Sequence, residues 1–179
     1  MFDALGTLFD LGPLHKSAEL HRTLHHAVAL TLAGEWKPFA EIAKAVDPEL
    51  VEKLAELEPY DDAREALEHA GEAWVLTNGG RDATERLLER GGLREVVAQV
   101  RSVEEVRRYK PHPDVYRLLP ERSVLVAAHA WDVAGARAAG YRAVWVNREE
   151  DEWPLPLPEP LRASNLIEAV RLLLRGQTP

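Results

Sequence analysis

The chain has no cysteine and a single methionine among its 179 residues. Disulfides, thiolate metal sites and cysteine nucleophiles are thereby excluded, and a reducing, cytoplasmic location is expected. No apolar leader follows Met1 and no apolar run is long enough to cross a bilayer, so no membrane partner is expected. Positive charge is also scarce: 22 Lys and Arg stand against 30 Asp and Glu, a formal net charge of −8. Binding a phosphate backbone needs a basic face, which argues against a nucleic-acid partner. "GEAWVLTNGG" holds glycines but no GxGxxG pattern, leaving a nucleotide cofactor without support. What is present is a chain of the length of one ordinary domain, or of one core with a modest insertion, able to bury a real hydrophobic centre.

The apolar periodicity changes character along the chain. In "LHKSAELHRTLHHAVALTLA", residues 14–33, Leu14, Leu20, Leu24, Val28 and Leu32 fall at helical intervals until Gly34 interrupts them. "FAEIAKAV" and "ELVEKLAEL" continue as helices, with Pro48 suited to a first turn. From residue 60 strands and helices alternate: "DDAREALEHAG" is a helix, "EAWVLTN" a strand, "RDATERLLERGG" a helix, "VVAQV" a strand, "HPDVYRLL" a helix and "SVLVAA" a strand. "DVAGARAAG" and "RAVWVN" add one more helix and strand. Strands alternating with helices of this length predict βαβ units and a parallel sheet covered on both faces. "PLPLPEP" reads as an edge loop or linker, and "ASNLIEAVRLLLRG" as a last helix with Ser164 as N-cap and Gly176 as stop. The expected architecture is α/β, with an all-helical insert at 13–59 between core segments 1–12 and 60–179.

Ligands of an open parallel sheet bind beyond the carboxyl ends of its strands. Four predicted strand ends carry polar residues: Asp3, then Thr77 with Asn78, then Lys110, then Asp132. Each alone is as well explained by a turn or a helix cap. Together they supply a carboxylate nucleophile, an ammonium to balance its charge, and a second carboxylate as base or metal ligand. Other conspicuous residues take simpler readings. His21 and His25 stand four apart with His15 and His26 nearby, but no third ligand follows at a metal spacing. Trp131 and Trp145 are expected in the core, whereas His129, three residues before Asp132, is a candidate for the site.

"FDALGTLFD", "VLTNGG", "YKPHPDVY" and "HAWDVAGARAAGYRAVWVNR", in that order, resemble the four motifs of the haloacid dehalogenase superfamily of hydrolases. The insert after the first motif is similar to that superfamily's helical cap. The resemblance implies a Rossmann-like sheet between helices, with Asp3 as a nucleophile that forms a covalent aspartyl intermediate. It implies that Thr7, Thr77, Asn78, Tyr116 and His129 contact or orient substrate, that Lys110 offsets the Asp3 charge, and that Asp132 activates water or holds Mg²⁺. A small-molecule substrate follows, and a homodimer is left open.

Position 5 separates the branches. Phosphatases of the superfamily carry there an aspartate that protonates the leaving alkoxide, a contribution worth roughly 10²–10⁴-fold, whereas this chain has Leu5. A halide leaves without a proton, so Leu5 favours carbon–halogen cleavage, and "DALGTLFD", "KPHPDVY" and "AWD" resemble the 2-haloacid dehalogenase branch. No cofactor is implied for that chemistry. This chain departs from the branch in Ala127, Ala128 and His129, where small polar side chains are usual, and in a short cap where Arg22 is the nearest arginine. Two alternatives stay open: a phosphatase of a small metabolite, with Mg²⁺ on Asp3, the Leu5 carbonyl and Asp132, and a catalytically weak binding or regulatory module. With only two residues ahead of Asp3, the first strand is expected to be short or to begin upstream of Met1.

Overall fold

Six short runs pair side by side, all parallel, in the order β3-β2-β1-β4-β5-β6. In the computed structural model, which describes residues 1–149 and 151–175, they are β1 (Phe2–Asp3), β2 (Trp74–Thr77), β3 (Gln99–Ser102), β4 (Val124–Ala127), β5 (Arg142–Val146) and β6 (Leu161–Ala163). Helices α4 (Ala63–Ala70), α5 (Arg81–Arg90), the short α6 (Pro113–Tyr116), α7 (Ala130–Ala138) and α8 (Leu166–Arg175) connect and cover them. The central strands are nearly continuous apolar runs because both sheet faces are packed; Val75, Leu76, Leu125, Val126 and Val144 are wholly buried. Sequence order reverses beside β1, which pairs with β2 on one side and β4 on the other, so the crevice that receives ligands in such sheets opens at the end of β1, where Asp3 stands.

Between β1 and α4 the chain is helical: α1 (Ala18–Leu32), α2 (Phe39–Val46) and α3 (Leu50–Ala55). Residues Gly12–Lys16 form a tight 3-10 turn before Ser17 accepts a bond from the Leu20 N–H and starts α1, so the predicted helix begins later than its apolar spacing indicates. Pro48 lies in the turn ahead of α3 and outside it. This segment is tied to the sheet side through Tyr109. The Tyr109 N–H donates to Thr31 Oγ1 at 2.9 Å, its hydroxyl donates to the Lys37 carbonyl at 2.7 Å, and its ring stacks on Trp36 with centroids 4.8 Å apart.

Other boundaries also move. The third strand was expected over "VVAQV" but runs Gln99–Ser102, because Arg94–Val96 turn as a 3-10 helix first. The segment after "PLPLPEP" forms β6 on the sheet edge, pairing with β5 so that the Arg162 guanidinium lies 5.8 Å from the Trp145 ring centroid. Asn165 is the cap of α8, its Oδ1 accepting the Glu168 N–H at 2.8 Å, while the expected cap Ser164 donates its hydroxyl to the Glu168 carboxylate. Gly176 lies outside the described residues.

Asp62 fastens the far end of the sheet. Its oxygens accept two bonds from the Arg148 guanidinium, at 2.9 and 3.2 Å, and one from the Leu166 N–H at 2.7 Å. Arg148 also lies 3.8 Å from the Tyr60 ring centroid. One carboxylate thus joins the start of α4, the end of β5 and the start of α8 in a partly buried place. Asp62→Ala is expected to cost about 2–3 kcal/mol, since hydrogen bonds to a charged partner contribute about 1.5–3 each and one guanidinium is left unpaired. Urea unfolding reads this directly, and Asp62→Asn, which keeps the Leu166 bond, should lose less.

Candidate active site

Asp3 ends a strand of two residues and the chain must then turn at once. Gly6 makes the turn with φ of +79°, and a Cβ there would lie 2.9 Å from His129 Nε2, so both backbone conformation and space require glycine. The turn returns Thr7 beneath the carboxylate. Thr7 Oγ1 donates to Asp3 Oδ2 at 2.9 Å and accepts the Ala128 N–H at 3.0 Å, which links the ends of β1 and β4.

The other Asp3 oxygen meets Lys110. Its ammonium, with no exposed surface, donates to Asp3 Oδ1 at 2.9 Å and to Asp132 Oδ2 at 2.7 Å. Asp132 Oδ1 accepts from the Tyr116 hydroxyl at 2.6 Å. Asn78 sets the height of the lysine, its Oδ1 accepting the Lys110 N–H at 3.0 Å. Thr77 Oγ1 accepts the Gly79 N–H at 2.9 Å and turns the chain out of β2. Gly135 lets α7 come this close: a Cβ on it would stand 2.5 Å from both Pro111 Cβ and the Tyr116 oxygen.

Three charges share this buried space. Burial works against the Lys110 cation, but Asp132 and Asp3 outweigh it and the pKa is raised. Burial lifts Asp132 above the usual carboxylate range, with the negative charge of Asp3 adding to it and Lys110 opposing. Burial and the adjacent Asp132 charge push the Tyr116 phenol far up, so it serves only as a donor. With two carboxylates against one ammonium, the ionised trio carries a net negative charge.

A cavity of about 90 Å³ opens in front of Asp3. Asp3, Leu5, Thr77, Asn78, His129 and Trp131 line it from the sheet side, and Leu11, Leu20, Leu24 and Phe39 with His15 and His21 from the helical segment. Thr7, Lys110, Tyr116 and Asp132 lie behind Asp3 and take no part in the lining. Thr7 and Tyr116, expected to contact or orient substrate, instead donate to Asp3 and Asp132 from outside the lining, and Asp132 is wholly buried with Oδ1 bonded to Tyr116 and Oδ2 to Lys110. Trp131 is not core but wall, its ring stacked on His129 at 5.2 Å. Trp145 is core, donating to the Ala128 carbonyl. Arg22 points to solvent, its side chain 54% exposed beside Glu19, and is not part of the cavity.

A magnesium ion on Asp3, the Leu5 carbonyl and Asp132 does not fit these residues. The Lys110 ammonium already stands between the two carboxylates, Thr7 and Tyr116 take their other oxygens, and His129 Nε2 donates to the Leu5 carbonyl at 3.0 Å. A divalent cation would have to sit against a buried positive charge. Among the described residues no group of three or more His, Asp or Glu is placed to hold a metal, the helix histidines included. No helix among them is long and apolar enough to cross a membrane.

The family model for haloacid dehalogenase-like hydrolases matches residues 1–140. Among curated proteins, (S)-2-haloacid dehalogenase 1 of Pseudomonas sp. (strain CBS-3) is 30% identical, covering 98% of this chain and 96% of its own length. Among solved structures, the L-2-haloacid dehalogenase from Xanthobacter autotrophicus aligns with a TM-score of 0.85 at 23% identity, over 99% of this chain and 98% of its own. The same enzyme with chloropropionic acid covalently bound aligns at 0.84 and 22% identity over the same shares.

Proposed function

Because the chain belongs to the haloacid dehalogenase-like hydrolases, we propose that it cleaves the carbon–halogen bond of a short 2-haloacid through an ester on Asp3. One observation carries the reading: a single carboxylate faces a small, largely apolar cavity, with both its oxygens oriented from behind by Lys110 and Thr7. A carboxylate so held is a nucleophile with its attack direction set. The residues at 13–59 act as the cap that closes the cavity over substrate.

In the first step an Asp3 oxygen attacks C2 of the acid, the halide leaves with the bonding pair, and configuration at C2 inverts. No proton is needed by the leaving group, so Leu5 is no handicap. In the second step water adds to the Asp3 carbonyl carbon and the acyl C–O bond breaks; one water proton goes to the departing alkoxide, which leaves as the 2-hydroxy acid, and the other goes to solvent as the Asp3 carboxylate is restored. Lys110 Nζ at 2.9 Å from Oδ1 is placed to donate to the oxyanion when Oδ2 is the attacking atom. Asp132 and Tyr116 position that ammonium. The relative crystallised with chloropropionic acid covalently bound supports a bonded intermediate of this kind.

The test is chloride release from (S)-2-chloropropionate with a chelator present, with the lactate formed analysed for configuration. Chelator-insensitive release with inversion is expected. Alkyl phosphates with added Mg²⁺ should react at least about 10²-fold more slowly, because no residue at position 5 protonates the alkoxide. Efficient magnesium-dependent phosphate release with no chloride release would overturn the reading in favour of the phosphatase.

A further inference from the structure

The cavity of about 90 Å³ in front of Asp3 is small for a ligand site, since such sites enclose roughly 300–1,000 Å³. A second cavity, of about 340 Å³, lies next to it between the helical segment and α5. Leu5 and Phe39 line both, so these two side chains form the partition between them. To the second cavity α2 and α3 add Ala40, Val51, Leu54 and Ala55, and α5 adds Ala83 and Leu87. Its polar members are largely committed elsewhere. The Thr84 hydroxyl donates to the Gly80 carbonyl at 3.0 Å, and Arg90 donates to the Leu57 carbonyl and pairs with Glu58 at 3.0 Å. Arg86, on the same helix, is exposed. Such a wall has little for a polar ligand and favours hydrocarbon. The partition is apolar as well. His129 holds the Leu5 carbonyl at 3.0 Å and fixes its main chain, leaving the leucine side chain to separate the two spaces. An aspartate at position 5 would set a charge on the path, whereas Leu5 and Phe39 keep it apolar from Asp3 into the second cavity.

We propose that the second cavity takes the alkyl tail of the substrate, so that the enzyme accepts 2-haloacids of medium chain length, with C2 at Asp3 and the chain passing between Leu5 and Phe39. The assignment to a 2-haloacid rests on the function proposed above, whereas the preference of the cavity for an alkyl chain does not. A short acid occupies the front cavity alone. Each further methylene exchanges water for the apolar wall, which should tighten binding about threefold to fourfold. The tail takes no part in bond breaking, so its contacts are equal in the ground and transition states. They should therefore lower KM and leave kcat unchanged.

The experiment compares propionate with hexanoate, which carry the same carboxylate and no leaving group, each titrated into the whole chain by calorimetry. Hexanoate should bind at least about tenfold tighter. Ala83→Phe and, from the opposite wall, Ala55→Phe should each fill the second cavity, removing that advantage and leaving propionate affinity unchanged. Both positions are exposed, so the variants should fold, which circular dichroism verifies. Hexanoate bound no tighter than propionate by the wild type, or an advantage retained in every variant that folds, overturns the inference. Chloride release from (S)-2-chloropropionate and (S)-2-chlorohexanoate supplies a reading that needs no variant: kcat/KM should rise at least about tenfold along the pair with kcat unchanged. Tighter hexanoate binding with no chloride release from either acid overturns the proposed reaction and leaves the tail site. Chloride release with kcat/KM that does not rise for the longer acid overturns the tail site and leaves the reaction.

Discussion

Asp3→Asn is expected to lower chloride release from (S)-2-chloropropionate by on the order of 10⁴-fold or more while leaving the protein folded. The amide oxygen is a poor nucleophile, yet the substitution keeps the shape of the side chain, with an oxygen to accept from Lys110 and an NH2 that can donate to Thr7 Oγ1. Lys110 retains its ion pair with Asp132 at 2.7 Å, so the buried cation is not abandoned and stability should change by no more than about 1 kcal/mol. Loss of activity with an unchanged unfolding midpoint would assign the defect to chemistry. Isotope labelling then distinguishes two ways of using a carboxylate. If Asp3 attacks C2, a single turnover in ¹⁸O water places the heavy oxygen in the Asp3 peptide, because water adds to the Asp3 carbonyl carbon. If Asp3 were a base that activates water, the first-turnover lactate would carry the label and the peptide none. An unlabelled peptide with labelled product would therefore end the ester mechanism.

The parts of this site most visible in the sequence are Asp3 and Thr77, which end β1 and β2, with Asn78 just after. Lys110 and Asp132 were also expected at strand ends, but Lys110 lies in the loop well past β3 and Asp132 inside α7, so the turns after the strands, and not the strand ends, bring them to the same edge. What each side chain does there was less legible. The resemblance assigns Asp132 to activating water or holding Mg²⁺, and nothing in the sequence shows what surrounds it. Its actual surroundings depend on Tyr116 reaching it from α6, which in turn depends on the missing side chain of Gly135 on α7. Likewise His129 was marked by its closeness to Asp132, but its bond to the Leu5 carbonyl joins positions far apart in the chain. Nothing in the sequence marks His15 and His21 as lining the cavity, since nothing local tells which face of a helical insert will lie over a core. Strand errors have a similar origin. β3 is an edge strand with Gln99 exposed and Arg101 reaching back to Glu105 at 3.1 Å, so its apolar signal is weak. β6 is three residues long and pairs by backbone, which composition does not register. The central strands, buried on both faces, were read correctly because burial leaves the strongest mark on residue choice.

The last prediction concerns the cation that no solvent reaches. Lys110→Met should cost about 3–5 kcal/mol, because it leaves two carboxylates facing each other with nothing between them. Wholly buried Asp132 suffers most, since Asp3 still has some solvent on the cavity side. The size of the loss should depend on pH, and its sign follows from Asp132. A carboxyl group whose folded pKa is raised adds stability below its unfolded pKa and loses it as pH rises through the folded value. Burial already raises Asp132 with Lys110 present to oppose it, and removing Lys110 raises it further. The variant should therefore approach wild-type stability near pH 4–5 and fall furthest behind near pH 8. Wild type has its own limit in the alkaline range. The raised pKa of Lys110 means its contribution is complete below about pH 10 and disappears as pH climbs through the folded value, a decline the Met variant should lack. Adding Asp132→Asn to Lys110→Met removes one negative charge and keeps an oxygen for Tyr116. It should recover much of the stability at pH 8 but none of the activity, which should stay down by about 10²–10³-fold for want of the oxyanion donor. Recovery of both would show that Lys110 only holds the site together. A Met variant as stable at pH 8 as at pH 5 would show that the buried charges do not interact as their 2.9 and 2.7 Å separations imply.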